Sequence, residues 1–341
     1  MQKLLIFLTA FLIVYFSTPL FKNLALKFNI VDRPGRRKIH KKVTALLGGG
    51  AVYFGVIITL FVNIAQLPFL PGIVIGATLI FVVGLFDDMR NLSAQLRLFV
   101  QLAAVVILML FGTRLSFLPN NVLGYTGEIL LTIIWIIGIT NAVNYLDGID
   151  GLAAGTTAVS AAFFAIIAYQ TGQPGVCGIS LALMAGCLAF LPHNFSKAKI
   201  FLGDAGSTFI GFILASIAVV GNWAEDNVVK ITVPILILAI PIFDMIFTTI
   251  MRIKEEKVNT IVEWLKYGGR DHFHHRLIDL GLSHVETVGF ICFVAGSFGI
   301  NAIMVSNEKA VVGLLSIIQA GIIFAGIGVL MVIGKRRSHK G

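Results

Sequence analysis

Long uncharged runs broken by short polar stretches organise this chain. Residues 43–86 carry no charge and are interrupted by "LPFLPG" at 67–72; residues 151–196 are likewise uncharged and are interrupted by "QTGQPG" at 170–175. A hydrocarbon core of about 30 Å takes roughly 20 apolar residues of helix, so each run reads as two spans joined by a tight turn. Further apolar segments fall near 4–21, 96–112, 127–144, 206–222, 231–251, 287–305 and 311–334. The pattern predicts an all-α polytopic membrane protein with about eleven transmembrane helices. The runs are apolar all round and do not alternate, which excludes the strands of a membrane barrel. The first run is long for a signal sequence and no small-x-small site follows it, so it is expected to stay as an uncleaved span.

The basic residues orient the spans. Of the 26 Lys and Arg, 22 fall in the stretches 22–46, 87–97, 193–205, 251–285 and 335–341, which alternate with the remainder. By the positive-inside rule these are cytoplasmic, with the N-terminus outside and the C-terminus cytoplasmic. One integral membrane domain, 1–341, is expected, with cytoplasmic loops 22–46, 87–97, 145–155, 193–205 and 252–285. The last is long enough for a short helix of its own. The net charge of +9 is then a matter of topology and of contact with anionic lipid headgroups, and it needs no nucleic acid.

Composition agrees: 57% of residues are hydrophobic and 13% charged, against about 25% charged in soluble domains. Cys177, Cys187 and Cys292 lie inside apolar runs and read as small core residues, not as a disulfide framework or a metal site.

Only 17 residues are acidic, so their placement is informative. Asp87 and Asp88 stand in "LFDDMRNLS", Asp147 and Asp150 in "NAVNYLDGIDGLAAG" (141–155), Asp204 in "FLGDAGSTF", and Asp244 in "PIFDM". All fall at the cytoplasmic ends of spans, as does the loop motif "RDHFHHRL" with His272, His274, His275 and Arg276. The orientation came from Lys and Arg alone, so this convergence is a separate signal. Adjacent Asp87 and Asp88 repel unless a cation or basic group neutralises them. Asp244 sits where an ionised group is costly and should have a partner. Asp147 and Asp150 share a face if their segment is helical, with Asn144 one turn earlier. Carboxylate and amide oxygens at that spacing suit Mg²⁺; Asp204 before a helix also suits an N-cap. "GDAGS" and "LLGGG" lack the ending of a phosphate-binding Walker loop, and "DGIDG" fails the calcium-loop pattern at Ile149. The H-x-H-H spacing fits zinc poorly; a His/Arg cluster suits a diphosphate or sugar.

Taken in order, "DRPGRRKIH" (32–40), "LGGG" (47–50), "FDDMRNLS" (86–93), "NAVNYLDGIDGLAAG", "FLGDAGS" (201–207), "PIFD" (241–244) and "RDHFHHRL" (270–277) resemble the polyprenyl-phosphate N-acetylhexosamine-1-phosphate transferases. "HFHHRL" followed by "LGLSH" resembles the undecaprenyl-phosphate N-acetylglucosamine-1-phosphate branch. The branch using the peptidoglycan pentapeptide nucleotide carries "TPTMGG" where this chain has "VTALLGGG", which also lacks the proline often found before the glycines.

The resemblance implies transfer of GlcNAc-1-phosphate from UDP-GlcNAc to undecaprenyl phosphate, giving undecaprenyl-diphosphate-GlcNAc and UMP. It implies Mg²⁺, with Mn²⁺ as a substitute, a bacterial inner-membrane location with a cytoplasmic site, and a homodimer. Carried onto these residues, it makes Asp87 and Asp88 the catalytic pair, Asp204 the principal metal ligand and Asn144 a second. Asp147 and Asp150 shape the nucleotide pocket, and His272, His274, His275 and Arg276 contact sugar and phosphates. Arg36, Lys38 and His40 hold the acceptor phosphate. The same chemistry with UDP-GalNAc or UDP-MurNAc-pentapeptide is the alternative. An anion transporter fits less well, because its ionisable groups belong near the bilayer midplane.

Overall fold

The structure is a computed structural model and describes residues 1–33, 43–64, 67–258, 260, 263, 267, 269 and 271–338. The expected phosphate-holding residues Arg36, Lys38 and His40 lie outside the described residues. Among those described there are thirteen helices and one two-stranded hairpin. The chain divides into two compact units, 1–221 and 222–341.

The first unit holds α1 (Gln2–Lys27), α2 (Gly48–Ile64), α3 (Leu70–Arg90), α4 (Ala94–Leu110), α5 (Val122–Leu146), α6 (Leu152–Gln170), α7 (Pro174–Asn194) and α8 (Gly203–Val220). The expected break at "LPFLPG" is the start of α3, with proline in its first turn, where the missing N–H costs nothing. "QTGQPG" likewise becomes the turn into α7. Helix α8 is the centre of the unit: it is almost wholly buried and packs on α2, α3, α5, α6 and α7. Its sequence, "GDAGSTFIGFILASIAVV", is small and apolar on every side, as a helix surrounded by others must be. Gly49 and Gly206 let α2 and α8 touch backbone to backbone. Gly48 and Gly49 also donate their N–H groups to the carbonyls of Phe201 and Leu202, each at 2.9 Å. The hairpin β1 (Val31–Asp32) and β2 (Thr44–Ala45) extends this join, since Ala45 accepts the N–H of Phe201 at 2.8 Å.

The second unit holds α9 (Asn227–Ile237), α10 (Ala239–Lys254), α11 (Phe273–Asp279), α12 (His284–Val305) and α13 (Ala310–Ser338). The sequence pattern 231–251 reads as one span; it is built from two helices, α9 and α10, which meet at a bend of 77°. Pro241 cannot donate to the carbonyl four residues back, and its ring crowds that turn, so the helix breaks at Leu238. The expected short helix in loop 252–285 is α11. A capping box between Ser283 and Glu286 starts α12.

Among the described residues, eight helices are long and apolar enough to cross a membrane, or nine if the bent pair is one span. The two other segments expected to span, α2 and α4, have 17 residues each. At 1.5 Å per residue that is about 26 Å, short of a hydrocarbon core of about 30 Å. The count of eleven is therefore not reached by length, although every expected apolar run is helical.

Candidate functional site

The C-terminal ends of α3 and α5 and the N-terminal ends of α4 and α8 meet in the first unit, and they carry five of the expected residues. Asp87 and Asp88 occupy the last turn of α3, where their side chains diverge. Asp87 is 4% exposed and accepts the backbone N–H of Leu92 at 2.6 Å and an Arg97 guanidinium N–H at 2.8 Å. Asp88 turns the other way and accepts the backbone N–H groups of Asp204 (2.8 Å) and Ala205 (3.1 Å). It thus sits on the positive end of α8, a natural place for an anion. Each carboxylate of the adjacent pair thus has its own donors, a guanidinium on one side and the amides of a helix N-terminus on the other.

Asp204 lies inside the first turn of α8 and is not its N-cap, a position held by Leu202. Its carboxylate accepts an Asn144 amide N–H at 2.7 Å, and the same nitrogen donates to Ser207 Oγ at 2.8 Å. Asn144 therefore meets Asp204 through nitrogen, as an orienting donor. A half-turn of the amide would present its oxygen at the same position. Two glycines set the spacing. A side chain on Gly84 would strike the backbone of Ala205. One on Gly203, whose φ is +74°, would stand 2.6 Å from Asp88 Oδ2.

Asp147 and Asp150 do not share a helical face. Helix α5 ends at Leu146 and the chain turns through Gly151, φ +79°, into α6. Asp147 remains near the cluster: burial, and then the charges of Asp204, Asp88 and Asp150, push its carboxyl well above the usual range. Asp150 faces away and accepts the N–H of Ala198 at 2.8 Å, which ties the 195–202 loop to the α5–α6 turn. Asn194, absent from the expected set, does the same from the other side, accepting from Gly151 and donating to Ile200.

A cavity of about 30 Å³ lies here, bordered by Asp87, Arg97, Gln101, Asn141, Asn144 and Asp204. That is room for about two waters. Gln101 and Asn141 close one wall with reciprocal amide hydrogen bonds of 3.2 and 2.8 Å. Arg97, Gln101 and Asn141 were not expected; the signal for Arg97 was its place one helix start after Asp87, obscured by the positive-inside reading. Among the described residues no three His, Cys, Asp or Glu side chains gather around one point. A cation held by Asp204 would complete its shell from phosphates and water, as Mg²⁺ commonly does. The donor chemistry fits a hard cation: Asp204 is a carboxylate, and the guanidinium of Arg97 is engaged by Asp87.

The histidine motif belongs to the second unit. Asp244 is completely buried and has the partner its position demanded: His272 Nδ1 stands 2.8 Å from it, and the N–H of Phe273 2.6 Å. Arg252 pairs with Asp271 through two hydrogen bonds of 2.9 and 2.8 Å. Burial alone would raise the Asp271 carboxyl, but those bonds and the Arg252 charge hold it below the usual range. His274 is fully buried, and among the described residues neither of its ring nitrogens has a hydrogen-bond partner. Burial, and then the neighbouring His275, hold its pKa down to about 3. Arg276 donates to the Asp271 carbonyl at 2.9 Å, while a second guanidinium nitrogen has no partner among the described residues. His275 is half-buried, its ring 4.2 Å from that of His274.

Residues 70–222 match the model of the family described as Glycosyl transferase family 4. A probable undecaprenyl-phosphate N-acetylglucosaminyl 1-phosphate transferase of Bacillus subtilis is 34% identical, over 88% of this chain and 84% of its own. A decaprenyl-phosphate N-acetylglucosaminephosphotransferase of Mycobacterium leprae is 30% identical over 98% and 91%. An undecaprenyl-phosphate alpha-N-acetylglucosaminyl 1-phosphate transferase of Escherichia coli K12 is 28% identical over 85% and 79%.

Proposed function

Because this multi-pass membrane protein belongs to glycosyl transferase family 4, among the polyprenyl-phosphate N-acetylglucosamine-1-phosphate transferases, we propose that it transfers GlcNAc-1-phosphate from UDP-GlcNAc to undecaprenyl phosphate at the cytoplasmic face of the inner membrane. The products are undecaprenyl-diphosphate-GlcNAc and UMP. The observation that carries this reading is the meeting of Asp88, Asn144 and Asp204 at the ends of three spans. A lipid-anchored phosphate and a soluble nucleotide can meet only at such an interface.

Transfer between phosphates needs in-line placement and charge neutralisation more than covalent help. Asp204 is the residue that would hold Mg²⁺, with Asn144 orienting it or adding an oxygen ligand. When bound, the ion offsets charge on the diphosphate. The acceptor phosphate, whose second pKa is about 6, is mostly ionised at neutral pH and needs no strong base. Asp87 and Asp88 accordingly serve by position. Asp87 holds Arg97 at the cavity, and Asp88 fixes the first turn of α8 and hence Asp204. Asp147, kept protonated more readily than a surface carboxyl, can donate a hydrogen bond to the nucleotide. In the second unit, His274 and Arg276 offer unpartnered nitrogens suited to a sugar phosphate.

The test is purified protein incubated with UDP-[¹⁴C]GlcNAc, Mg²⁺ and undecaprenyl phosphate. Label moving into the lipid phase with release of UMP supports the reading; label that stays in nucleotide opposes it. Decaprenyl phosphate belongs in a parallel incubation, since mycobacterial relatives are named for it.

A further inference from the structure

Asp244, Thr248 and Arg252 of α10 stand four residues apart, so they share one face of the helix, and all three are buried. The segment 271–277 is tied to that face. His272 bonds to Asp244 through Nδ1 at 2.8 Å, and an Arg252 η nitrogen lies 3.2 Å from its Nε2. Arginine has only donors. Nε2 therefore accepts, and Nδ1 carries the proton that goes to Asp244. Both neighbours demand the same tautomer. Arg252, 2% exposed, uses its Nε and the same η nitrogen to grip Asp271. The result is an unbroken chain, Asp244–His272–Arg252–Asp271, inside one unit.

We propose that Arg252 and His272 are positioning residues: a latch that holds the 271–277 segment on α10 and presents His274 and Arg276 in fixed register. On this proposal His272 holds the segment in place and does not itself contact sugar or phosphate. Both its ring nitrogens are engaged by charged groups in a buried setting. A substrate could reach one only by displacing a guanidinium or a carboxylate, leaving that charge unpaired. The proposal rests on the transfer reaction given above, in which His274 and Arg276 serve the donor.

The test compares His272→Asn, His272→Gln and His272→Ala in detergent-solubilised protein, with Arg252→Gln, Asp271→Asn and their double variant. Asn places an amide N–H where Nδ1 stood, and Gln places one near Nε2. The latch predicts that His272→Asn recovers about tenfold or more of the kcat/KM for UDP-GlcNAc lost in His272→Ala, while His272→Gln does not. Arg252→Gln and Asp271→Asn each raise the donor KM by about tenfold, leave the acceptor KM in place, and are not additive in the double variant. Thermal midpoints are measured alongside, and rates are compared below all of them. His272→Asn that folds like wild type yet matches His272→Ala in activity overturns the latch. So do single variants that are less stable but keep both KM values. Wild-type protein that transfers no label overturns the reaction itself, which is a separate result.

Discussion

Asp88 Oδ1 accepts the backbone N–H of Asp204 at 2.8 Å, so the end of α3 grips the very turn of α8 that carries the expected metal ligand. One carboxylate is used as a fastener for the other's backbone. Neither residue can shift without the other.

Asp204→Asn keeps the shape of the side chain and removes its charge. We expect kcat to fall by about a hundredfold or more, with a larger Mg²⁺ concentration needed for half-maximal rate. Label transfer measured across a Mg²⁺ titration checks this, and full activity at unchanged Mg²⁺ dependence would remove Asp204 from the metal site.

Gly203→Ala meets two obstacles, a φ of +74° and Asp88 Oδ2 2.6 Å from the new methyl. Gly112 has a φ of +83° with nothing within 4 Å of it, so Gly112→Ala isolates the backbone term of about 1 kcal/mol. Gly203→Ala should cost about 2–3 kcal/mol and depress transfer as well. Thermal unfolding of the two variants side by side is the measurement; equal losses would mean that the Asp88 contact yields freely.

Arg97→Ala leaves the Asp87 carboxylate buried with one backbone donor. Arg97 is 41% exposed, so solvent softens the loss, and a coupling of about 1–2 kcal/mol is expected between Arg97→Ala and Asp87→Asn. A double-mutant cycle on stability reads it directly, and simple additivity would count against the pair.

His274 is neutral in the fold, with its pKa held down to about 3, against an ordinary 6.5 when unfolded. Below pH 6.5 the unfolded chain binds a proton that the folded one refuses. Stability is therefore complete above that pH and declines as the pH falls from 6.5 towards 3. His274→Phe removes two unpartnered nitrogens from a buried site. It should flatten this decline and leave stability at pH 7 equal or about 1 kcal/mol higher, while lowering transfer. Thermal midpoints from pH 5 to 8 decide it; an unchanged slope would show that another group titrates.

The order of motifs alone led to the family, and every expected apolar run is helical among the described residues. Both are local properties: a run of apolar side chains must leave water wherever it goes, and a motif's residue types do not depend on packing. Asp87, Asp88 and Asp204 were legible for the same reason, since carboxylates are conspicuous in so apolar a chain. What each of them bonds to was not legible. Asp88 on the amides of α8, Asn144 facing Asp204 through nitrogen, and Asp150 on the Ala198 N–H join positions 48 to 117 residues apart. Such pairings depend on where α3, α5 and α8 end in space. The role proposed for His272 has the same origin. A histidine next to others reads as a ligand in one dimension, and only the fold brings Asp244 to one nitrogen and Arg252 to the other. The break at Leu238 and the short reach of α2 and α4 complete the contrast: hydropathy measures how greasy a segment is, while proline geometry and helix length decide how it lies.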